Sequence, residues 1–309
     1  MLSFTIGKPI AKIVNAIGNA DNNKIIKVNS DIANKPKEKE IKYKEPYDLL
    51  SEDKIKIKSK GKMSAKDKSK FEKWFDNAFD SDEEMNQKYP EIKKEFDNKD
   101  QKEMILYKGQ LEPVPSQESR DILFIAGPSN SGKSTYAAKY SMQYKRTFPR
   151  RKIYVFSRIT FDEAFDEFDP IYIKLNDEII ENPLDTKLFV DSLIIFDDID
   201  TIQDDEIRKE ICKFRNDILE TGRHQNISIV ITSHQMSNYQ ATRIILNEAQ
   251  SITFYPKSGS TNGIVYVLKK YVGMSKDQIN RIFEIQSRWV TVVKIYPMCV
   301  FYETGIYIL

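Results

Sequence analysis

Residues 121 to 135 read DILFIAGPSNSGKST, and the fold is decided by this stretch. An apolar run ends at Ala126, the spacing G-x-x-x-x-G-K-[ST] follows from Gly127 to Ser134, and a helical segment continues beyond Thr135. A strand that leads into this spacing and then into a helix is the context that identifies a phosphate-binding loop. The sequence therefore predicts that a nucleotide's phosphates bind here.

Each position of the loop has a predicted task. Gly127 and Gly132 let the backbone curl, so that successive N–H groups point at the phosphates at the positive end of a helix. Lys133 is expected to neutralise the β- and γ-phosphates, Ser134 to ligate Mg²⁺ and Thr135 to lie near the α-phosphate. The predicted nucleotide-binding set is Gly127, Pro128, Ser129, Asn130, Ser131, Gly132, Lys133, Ser134 and Thr135. ATP and Mg²⁺ are the expected ligands, with ATP inferred from the motif set and not from a base-reading residue.

Apolar runs alternate with helical stretches from about residue 116 onward. Strands are predicted at residues 121–127, 152–157, 192–198, 227–233 and 251–256, and helices at 133–146, 202–221, 239–249 and 275–286. This alternation is typical of a mostly parallel sheet flanked by helices. The predicted fold class is therefore α/β.

A second carboxylate-bearing strand follows in LIIFDDID, residues 193 to 200. An apolar strand that ends in carboxylates is the Walker B arrangement, in which Asp197 is expected to hold Mg²⁺ and Asp198 to polarise the attacking water. A second carboxylate favours hydrolysis over transfer to a small acceptor. The alternative is that Asp198 or Asp200 only caps the next helix.

The next candidate residues lie in ETGRHQNISIVITSHQ, residues 220 to 235. Arg223 precedes a strand and is interpreted as an arginine finger that reaches a neighbouring subunit's γ-phosphate. The alternative is an ordinary surface arginine. His234 and Gln235 end the strand, where one of them is expected to sense the γ-phosphate or orient water, with a purely structural role left open.

The composition limits what the rest of the chain does. Of 309 residues, 48 are Lys or Arg and 46 are Asp or Glu, so any nucleic-acid surface must be local. Two distant cysteines, Cys212 and Cys299, favour a reducing compartment over a disulfide framework. No apolar run is long enough for a membrane span. Neither an NKxD guanine-reading motif nor an Arg-rich kinase lid occurs.

Three regions are predicted along the chain: an amphipathic segment at 1–30, a charged linker and helical region at 31–115, and the ATPase domain at 116–309. Ile10, Ile13, Val14 and Ile17 have helical spacing, so a short amphipathic helix is expected. It packs on its own domain or a neighbouring subunit, or else docks on a membrane or shell protein. Residues 54–70 are strongly basic, and residues 72–100 suggest a helix with an aromatic face.

Residues 121 to 309 resemble the FtsK/HerA superfamily of DNA-pumping ATPases, and within it the genome-packaging ATPases of large DNA viruses, the poxvirus type included. Four motifs carry the resemblance: GPSNSGKST, LIIFDDID, GRHQNISIVITSHQ and SRWVTVVKIYP at 287–297. Two positions depart from the cellular pattern. Asp198 stands where those motors usually carry Glu, and His234 stands where they carry a sensor Gln, with Gln235 one position later.

The resemblance implies a RecA-like core in a hexameric or pentameric ring of identical subunits, which pushes double-stranded DNA into a capsid as it hydrolyses ATP. Capsid or portal-vertex proteins would be partners, and the host cytoplasm or the virion would be the location. Such a motor grips DNA phosphates without sequence preference. The basic candidates are KRTFPRRK at 145–152, Lys257, Lys269 and Lys270, for which a solvated surface role is the alternative.

Two other functions stay open at this point. One is a helicase or a replication or recombination ATPase, which would separate the strands of forked DNA. The other is an interaction protein that binds ATP as a structural ligand, against which the paired carboxylates of Asp197 and Asp198 speak.

Overall fold

The computed structural model describes residues 1–16, 21–29, 102–159, 161–238 and 241–309. Residues 1–30 and 102–309 belong to one compact unit. The predicted basic run at 54–70 and the aromatic helix at 72–100 lie outside the described residues.

A large mixed sheet forms the centre of this unit. Its strands, in chain order, are β4 (Glu103–Ile105), β6 (Ile122–Ala126), β7 (Lys152–Ser157), β8 (Ile171–Tyr172), β9 (Ser192–Asp197), β10 (Ser228–Ser233), β11 (Ser251–Phe254), β12 (Val290–Val293), β13 (Cys299–Tyr302) and β14 (Gly305–Ile308). They lie in the order β4-β14-β13-β12-β11-β6-β10-β9-β7-β8. From β11 to β8 all neighbours are parallel. The predicted α/β class, with a RecA-like P-loop core, is confirmed.

Helices connect the parallel strands and cover both faces of the sheet. They are α1 (Lys133–Thr147), α2 (Glu178–Glu181), α3 (Asp205–Thr221), α4 (Arg243–Glu248), α5 (Thr261–Val267) and α6 (Lys276–Glu284). Short 3₁₀ helices span Glu163–Phe168, Thr186–Phe189 and Ile199–Thr201, and a π-helical turn spans Leu268–Val272. The four predicted helices are confirmed as α1, α3, α4 and α6, whereas α2 and α5 were not predicted.

The two faces of the sheet have separate cores. On one face, strand residues such as Leu123 and Ile195 pack against Tyr136, Tyr140 and Tyr144 of α1. The core on the other face is larger, and its aromatic centre includes Phe156 of β7, Phe196 of β9 and Phe214 of α3. Full burial of one such side chain stabilises the fold by about 1.5–3 kcal/mol. The two cores therefore fix α1 and α3 on opposite faces of strands β6, β10 and β9.

An antiparallel extension completes the sheet beyond β11. Strands β12, β13 and β14 form a meander, and β4 adds to its outer edge. The motif at 287–297 therefore contains β12, which pairs with β11 from Ser251↔Val293 to Phe254↔Val290. Because β12 runs antiparallel to β11, its first residues lie at the edge where β6 ends.

The predicted N-terminal helix is wrong. Residues 1–30 contribute three strands, β1 (Leu2–Ser3), β2 (Lys8–Val14) and β3 (Ile25–Val28), to a small sheet of order β1-β3-β2-β5, where β5 is Gln110–Pro113. A register shift between Pro9 and Ala11 breaks the alternation of β2, so Ile10 and Ala11 are both buried. That bulge hides the strand period and leaves a spacing that imitates a helix.

The small sheet is part of the fold and not a detached segment. Its apolar residues Ile10, Ile13 and Ile26 share a core with Val293 and Phe301 of the antiparallel extension. Strands β4 and β5 precede residue 116, so the compact unit includes residues that the sequence analysis assigned to the linker. Within the part of the chain that the structure describes, no helix has the length and apolar character needed to span a membrane.

Candidate nucleotide-binding site

The predicted phosphate-binding loop lies at the carboxyl ends of the parallel strands, between β6 and α1. Gly132 has φ +104° and immediately precedes the first residue of α1, while Asn130 has φ +61°. Backbone of this kind turns consecutive N–H groups inward. The predicted curl of the loop is therefore present.

Gly127 is required for a second, steric reason. A Cβ at this position would lie 2.6 Å from Cδ2 of Tyr255 and 2.7 Å from the hydroxyl of Ser131. The ring of Tyr255, which follows β11, thus packs directly on the start of the loop. Any side chain at residue 127 would displace the loop from the sheet.

Lys133 extends from the loop toward the ends of β9 and β10. Only 7% of its side chain is exposed. Its Nζ lies 3.6 Å from Oδ2 of Asp198, 3.4 Å from Nδ1 of His234 and 3.5 Å from the carbonyl oxygen of Pro128. These contacts are long for hydrogen bonds, so the ammonium group can turn to a stronger acceptor such as a phosphate.

Asp197 ends β9 and is buried. The hydroxyl of Thr232 donates to its Oδ1 at 2.8 Å, and the hydroxyl of Ser157 donates to its Oδ2 at 3.2 Å. Burial raises the pKa of Asp197 above the usual value; the Thr232 hydrogen bond opposes this rise, and the charge of Asp198 adds to it. A nearby cation would favour the ionised form.

Asp198 has left-handed backbone geometry with φ +44°, and its side chain makes no helix-capping hydrogen bond. Its Oδ2 instead lies 3.0 Å from Nε2 of His234 and 3.6 Å from Nζ of Lys133. The capping alternative therefore does not describe Asp198. Asp200 is not the cap of α3 either. Its carboxylate accepts a hydrogen bond from the hydroxyl of Ser233, and Asp204 is the residue that caps α3.

His234 and Gln235 differ in their positions. The imidazole of His234 is half-buried between Lys133 and Asp198, whereas Gln235 is exposed and its backbone N–H donates to the hydroxyl of Ser233. Both line a cavity of about 420 Å³ beside Gly127 and Pro128. The structure brings His234, and not the side chain of Gln235, into contact with the charged groups.

Arg223 lies at the opposite edge of the sheet. It is exposed in the turn that precedes β10, whereas Lys133 and His234 lie where β6 and β10 end. Strand β10 has six residues and spans about 20 Å at 3.3 Å per residue. The guanidinium of Arg223 therefore cannot reach the phosphates of its own subunit.

The predicted DNA-contacting residues lie in three separate parts of the structure. Residues 145–152 include the end of α1 and the start of β7, at the same edge as Arg223; there Arg151 pairs with Asp191 at 3.7 Å. Lys257 follows β11 at the nucleotide edge, and its Nζ donates to the carbonyl of Phe283. Lys269 and Lys270 lie in the π-helical turn after α5.

Two residues that were not predicted contribute to the site. Thr232 and Ser157 hold the carboxylate of Asp197, and the backbone N–H of Asp198 also donates to the hydroxyl of Thr232 at 2.9 Å. Both are hydroxyl residues near the carboxyl end of a predicted strand. A hydroxyl residue at that position, with a carboxylate at the end of another predicted strand, was the sequence signal that could have identified them.

The described residues include the donors that a magnesium nucleotide needs. Mg²⁺ prefers oxygen ligands from one or two protein groups together with phosphates and waters. Asp197 supplies a carboxylate at the loop's edge of the sheet, and Ser134 supplies a hydroxyl in the first turn of α1. Their chemistry fits the ion.

Comparisons with known proteins gave one curated relative and several solved structures, while no family model matches the chain. A structure of the genome packaging NTPase B204 from Sulfolobus turreted icosahedral virus 2 with AMP has a TM-score of 0.40 and 14% identity, and covers 57% of this chain and 93% of B204. The pCW3 conjugation coupling protein TcpA has a TM-score of 0.42 and 9% identity, with 68% and 66% covered.

The curated relative is much more similar. "Uncharacterized protein V3" of the Sputnik virophage is 45% identical over 215 residues, which are 68% of this chain and 86% of V3. This identity, over most of the relative's length, is far above the 14% and 9% of the two solved structures described above. The chain therefore belongs to the family of the virophage protein V3.

Proposed function

We propose that this protein is an ATP-hydrolysing translocase that packages a double-stranded DNA genome into a viral capsid. A single observation carries the proposal. Lys133, Asp197, Asp198 and His234 converge at one edge of the sheet, while Arg223 lies at the other edge. This division suits a motor whose hydrolysis depends on assembly.

The converging groups have complementary tasks in hydrolysis. Lys133 balances charge on the β- and γ-phosphates, and Asp197 with Ser134 would hold Mg²⁺, which supplies charge neutralisation when bound. Asp198 lies next to Asp197 in sequence and accepts from His234, so its carboxylate is positioned to orient water while His234 fixes its direction. Phosphoryl transfer needs mainly such positioning and electrostatic stabilisation.

Arg223 acts between subunits in this proposal. Because it cannot reach its own nucleotide, a catalytic role requires a neighbouring copy of the chain, and a closed ring supplies one at every interface. An arginine finger given in trans makes each turnover depend on the neighbour. The position of this side chain therefore supports a homo-oligomeric ring.

DNA is proposed as the track because of the motif combination and the local basic residues. A packaging motor must hold phosphates without reading bases, which suits scattered lysines and arginines on a chain whose net charge is only +2. The virophage origin of V3 supports a viral setting, with capsid or portal-vertex proteins as partners and the host cytoplasm or virion as location.

A triplex-displacement assay tests this function. The full chain, ATP and a duplex that carries a third strand are mixed, and release of the third strand is followed alongside strand separation on a forked duplex. Lys133→Ala is the control. Third-strand release without strand separation is expected. Separation of the fork would indicate a helicase, and ATP binding without any release would indicate a non-motor ATP-binding protein.

A further inference from the structure

The guanidinium of Arg288 lies beside the phosphate-binding loop and forms no ion pair with any residue that the structure describes. Arg288 is exposed, and a methyl group placed on Gly132 would lie 3.6 Å from its Nη2 and 3.7 Å from its Cζ. Arg288 belongs to the SRWVTVVKIYP motif, which the hydrolysis scheme above does not use. Its proximity to the loop calls for a chemical explanation.

The residues on both sides of Arg288 are fixed. The backbone N–H of Arg288 donates to Oε2 of Glu303 at 2.8 Å, and the backbone N–H of Glu303 donates to the hydroxyl of Ser287 at 3.2 Å. Trp289 packs edge-on against Tyr136 of α1, with ring centroids 4.9 Å apart. Both anchors set the backbone of Arg288 relative to the first turns of α1.

The helix and the strand are joined below these anchors as well. The hydroxyls of Tyr136 and Thr291 lie 2.7 Å apart, and those of Thr291 and Thr253 lie 2.8 Å apart, all three being buried. This chain of hydroxyls links α1, β12 and β11. The distance between Arg288 and Gly132 is thus a property of the packed core and not of a loose loop.

The side chain of Arg288 has no carboxylate partner among the described residues within 4.0 Å, the limit for an ion pair. The nearby carboxylate of Glu303 is engaged by the backbone of Arg288. A guanidinium has a planar fork of N–H donors and no acceptor atom, so it is well suited to bind a phosphate.

The side from which Arg288 approaches indicates which phosphate it meets. Strand β6 lies between β10 and β11, and Lys133 extends toward β10 and β9, where the γ-phosphate and metal are proposed to bind. Arg288 precedes β12, beyond β11, and so reaches the loop from the other flank. With the γ-phosphate facing Asp197, the α- and β-phosphates would extend toward that flank.

We infer that Arg288 binds the α- and β-phosphates of the nucleotide in its own subunit, as a second cation opposite Lys133. This inference rests on the proposed nucleotide site and adds to that site a contact at the nucleoside end of the ligand. Since ADP retains both phosphates, Arg288 should contribute equally to the binding of ATP and of ADP.

Nucleotide affinity tests the inference without reference to turnover. Dissociation constants for ADP and for the slowly hydrolysed analogue ATPγS are measured for the wild type, Arg288→Gln and Arg288→Lys. Arg288→Gln should weaken both ligands by about tenfold or more, with Arg288→Lys intermediate. Arg281→Gln is the matched control, because this arginine already pairs with Glu103 at 2.8 Å and should leave both constants within about twofold.

Two results would overturn the inference. One is an Arg288→Gln protein with wild-type affinity for both ligands, and the other is a loss for ATPγS alone, which would place the guanidinium at the γ-phosphate. Thermal melting confirms that the exposed substitution leaves the fold intact. A wild type that binds nucleotide but displaces no third strand would refute the packaging function while the Arg288 result still decides this inference.

Discussion

Replacement of Thr232 by valine tests how the carboxylates of the site are held. Thr232 is 1% exposed, and its hydroxyl donates to Oδ1 of Asp197 at 2.8 Å and accepts from the backbone N–H of Asp198 at 2.9 Å. Valine keeps the shape and replaces the hydroxyl with a methyl group. The change therefore removes both hydrogen bonds without opening a cavity.

The magnitude follows from these two bonds. A hydrogen bond to a charged group contributes about 1.5–3 kcal/mol and a neutral one about 0.5–1.5 kcal/mol, so Thr232→Val should lower the free energy of unfolding by about 2–4.5 kcal/mol. Loss of an outer partner of a metal-site carboxylate typically lowers activity by about 10- to 100-fold. Urea denaturation and steady-state ATP hydrolysis measure the two effects.

Thr232→Ser is the matched control, because it retains the hydroxyl and removes only a methyl group. It should keep most of the activity that Thr232→Val loses. If the valine variant hydrolysed ATP at the wild-type rate and unfolded at the same urea concentration, the hydroxyl would not position the carboxylates, and the assignment of Asp197 and Asp198 would lose its structural basis.

Three further outcomes follow from the structure. Arg223→Ala and Lys133→Ala should each be inactive in ATP hydrolysis, yet a mixture of the two variants should regain activity. In a mixed ring, the Lys133→Ala subunit supplies an intact Arg223 to a neighbour that has an intact Lys133. A mixture as inactive as the separate variants would contradict action in trans. Burial raises the pKa of Cys299 to about 12, so a thiol reagent at pH 8 should modify the half-buried Cys212 and spare Cys299 until urea unfolds the chain; equal rates in the folded protein contradict this. Ile13→Ala should lower the free energy of unfolding by about 2–5 kcal/mol in urea denaturation, whereas an unchanged value would contradict the packing of the N-terminal strands into the core.

The local parts of the fold were predictable from the sequence. The apolar run of β6, the glycines of the loop and the start of α1 are consecutive, so their pattern is complete within 15 residues at 121–135. The same holds for β9 with Asp197 and for α3. Each was found because its signal does not depend on distant residues.

Contacts between distant segments were not predictable. His234 meets Asp198 only because β10 lies beside β9, and Arg288 meets Gly132 only because β12 pairs with β11. Nothing in the spacing of these residues along the chain encodes their proximity. The order of the strands had to be known first.

The N-terminal error has a different cause. A regular strand would have shown alternation, but around the bulge of β2 three consecutive residues, Pro9, Ile10 and Ala11, are buried, and the alternation is lost. Apolar period alone does not distinguish a bulged strand from a short helix.

In the proposed mechanism, one magnesium nucleotide is held between Lys133 and Asp197 and is hydrolysed in a DNA-dependent way. The most direct measurement is the rate of ATP hydrolysis by the full chain with and without double-stranded DNA, for the wild type and for Asp198→Asn. We predict that DNA accelerates the wild type and that Asp198→Asn binds ATP but hydrolyses it at least 100-fold more slowly, a loss of about 2.7 kcal/mol in transition-state stabilisation. Equal rates for the two proteins, or a wild type indifferent to DNA, would contradict the account.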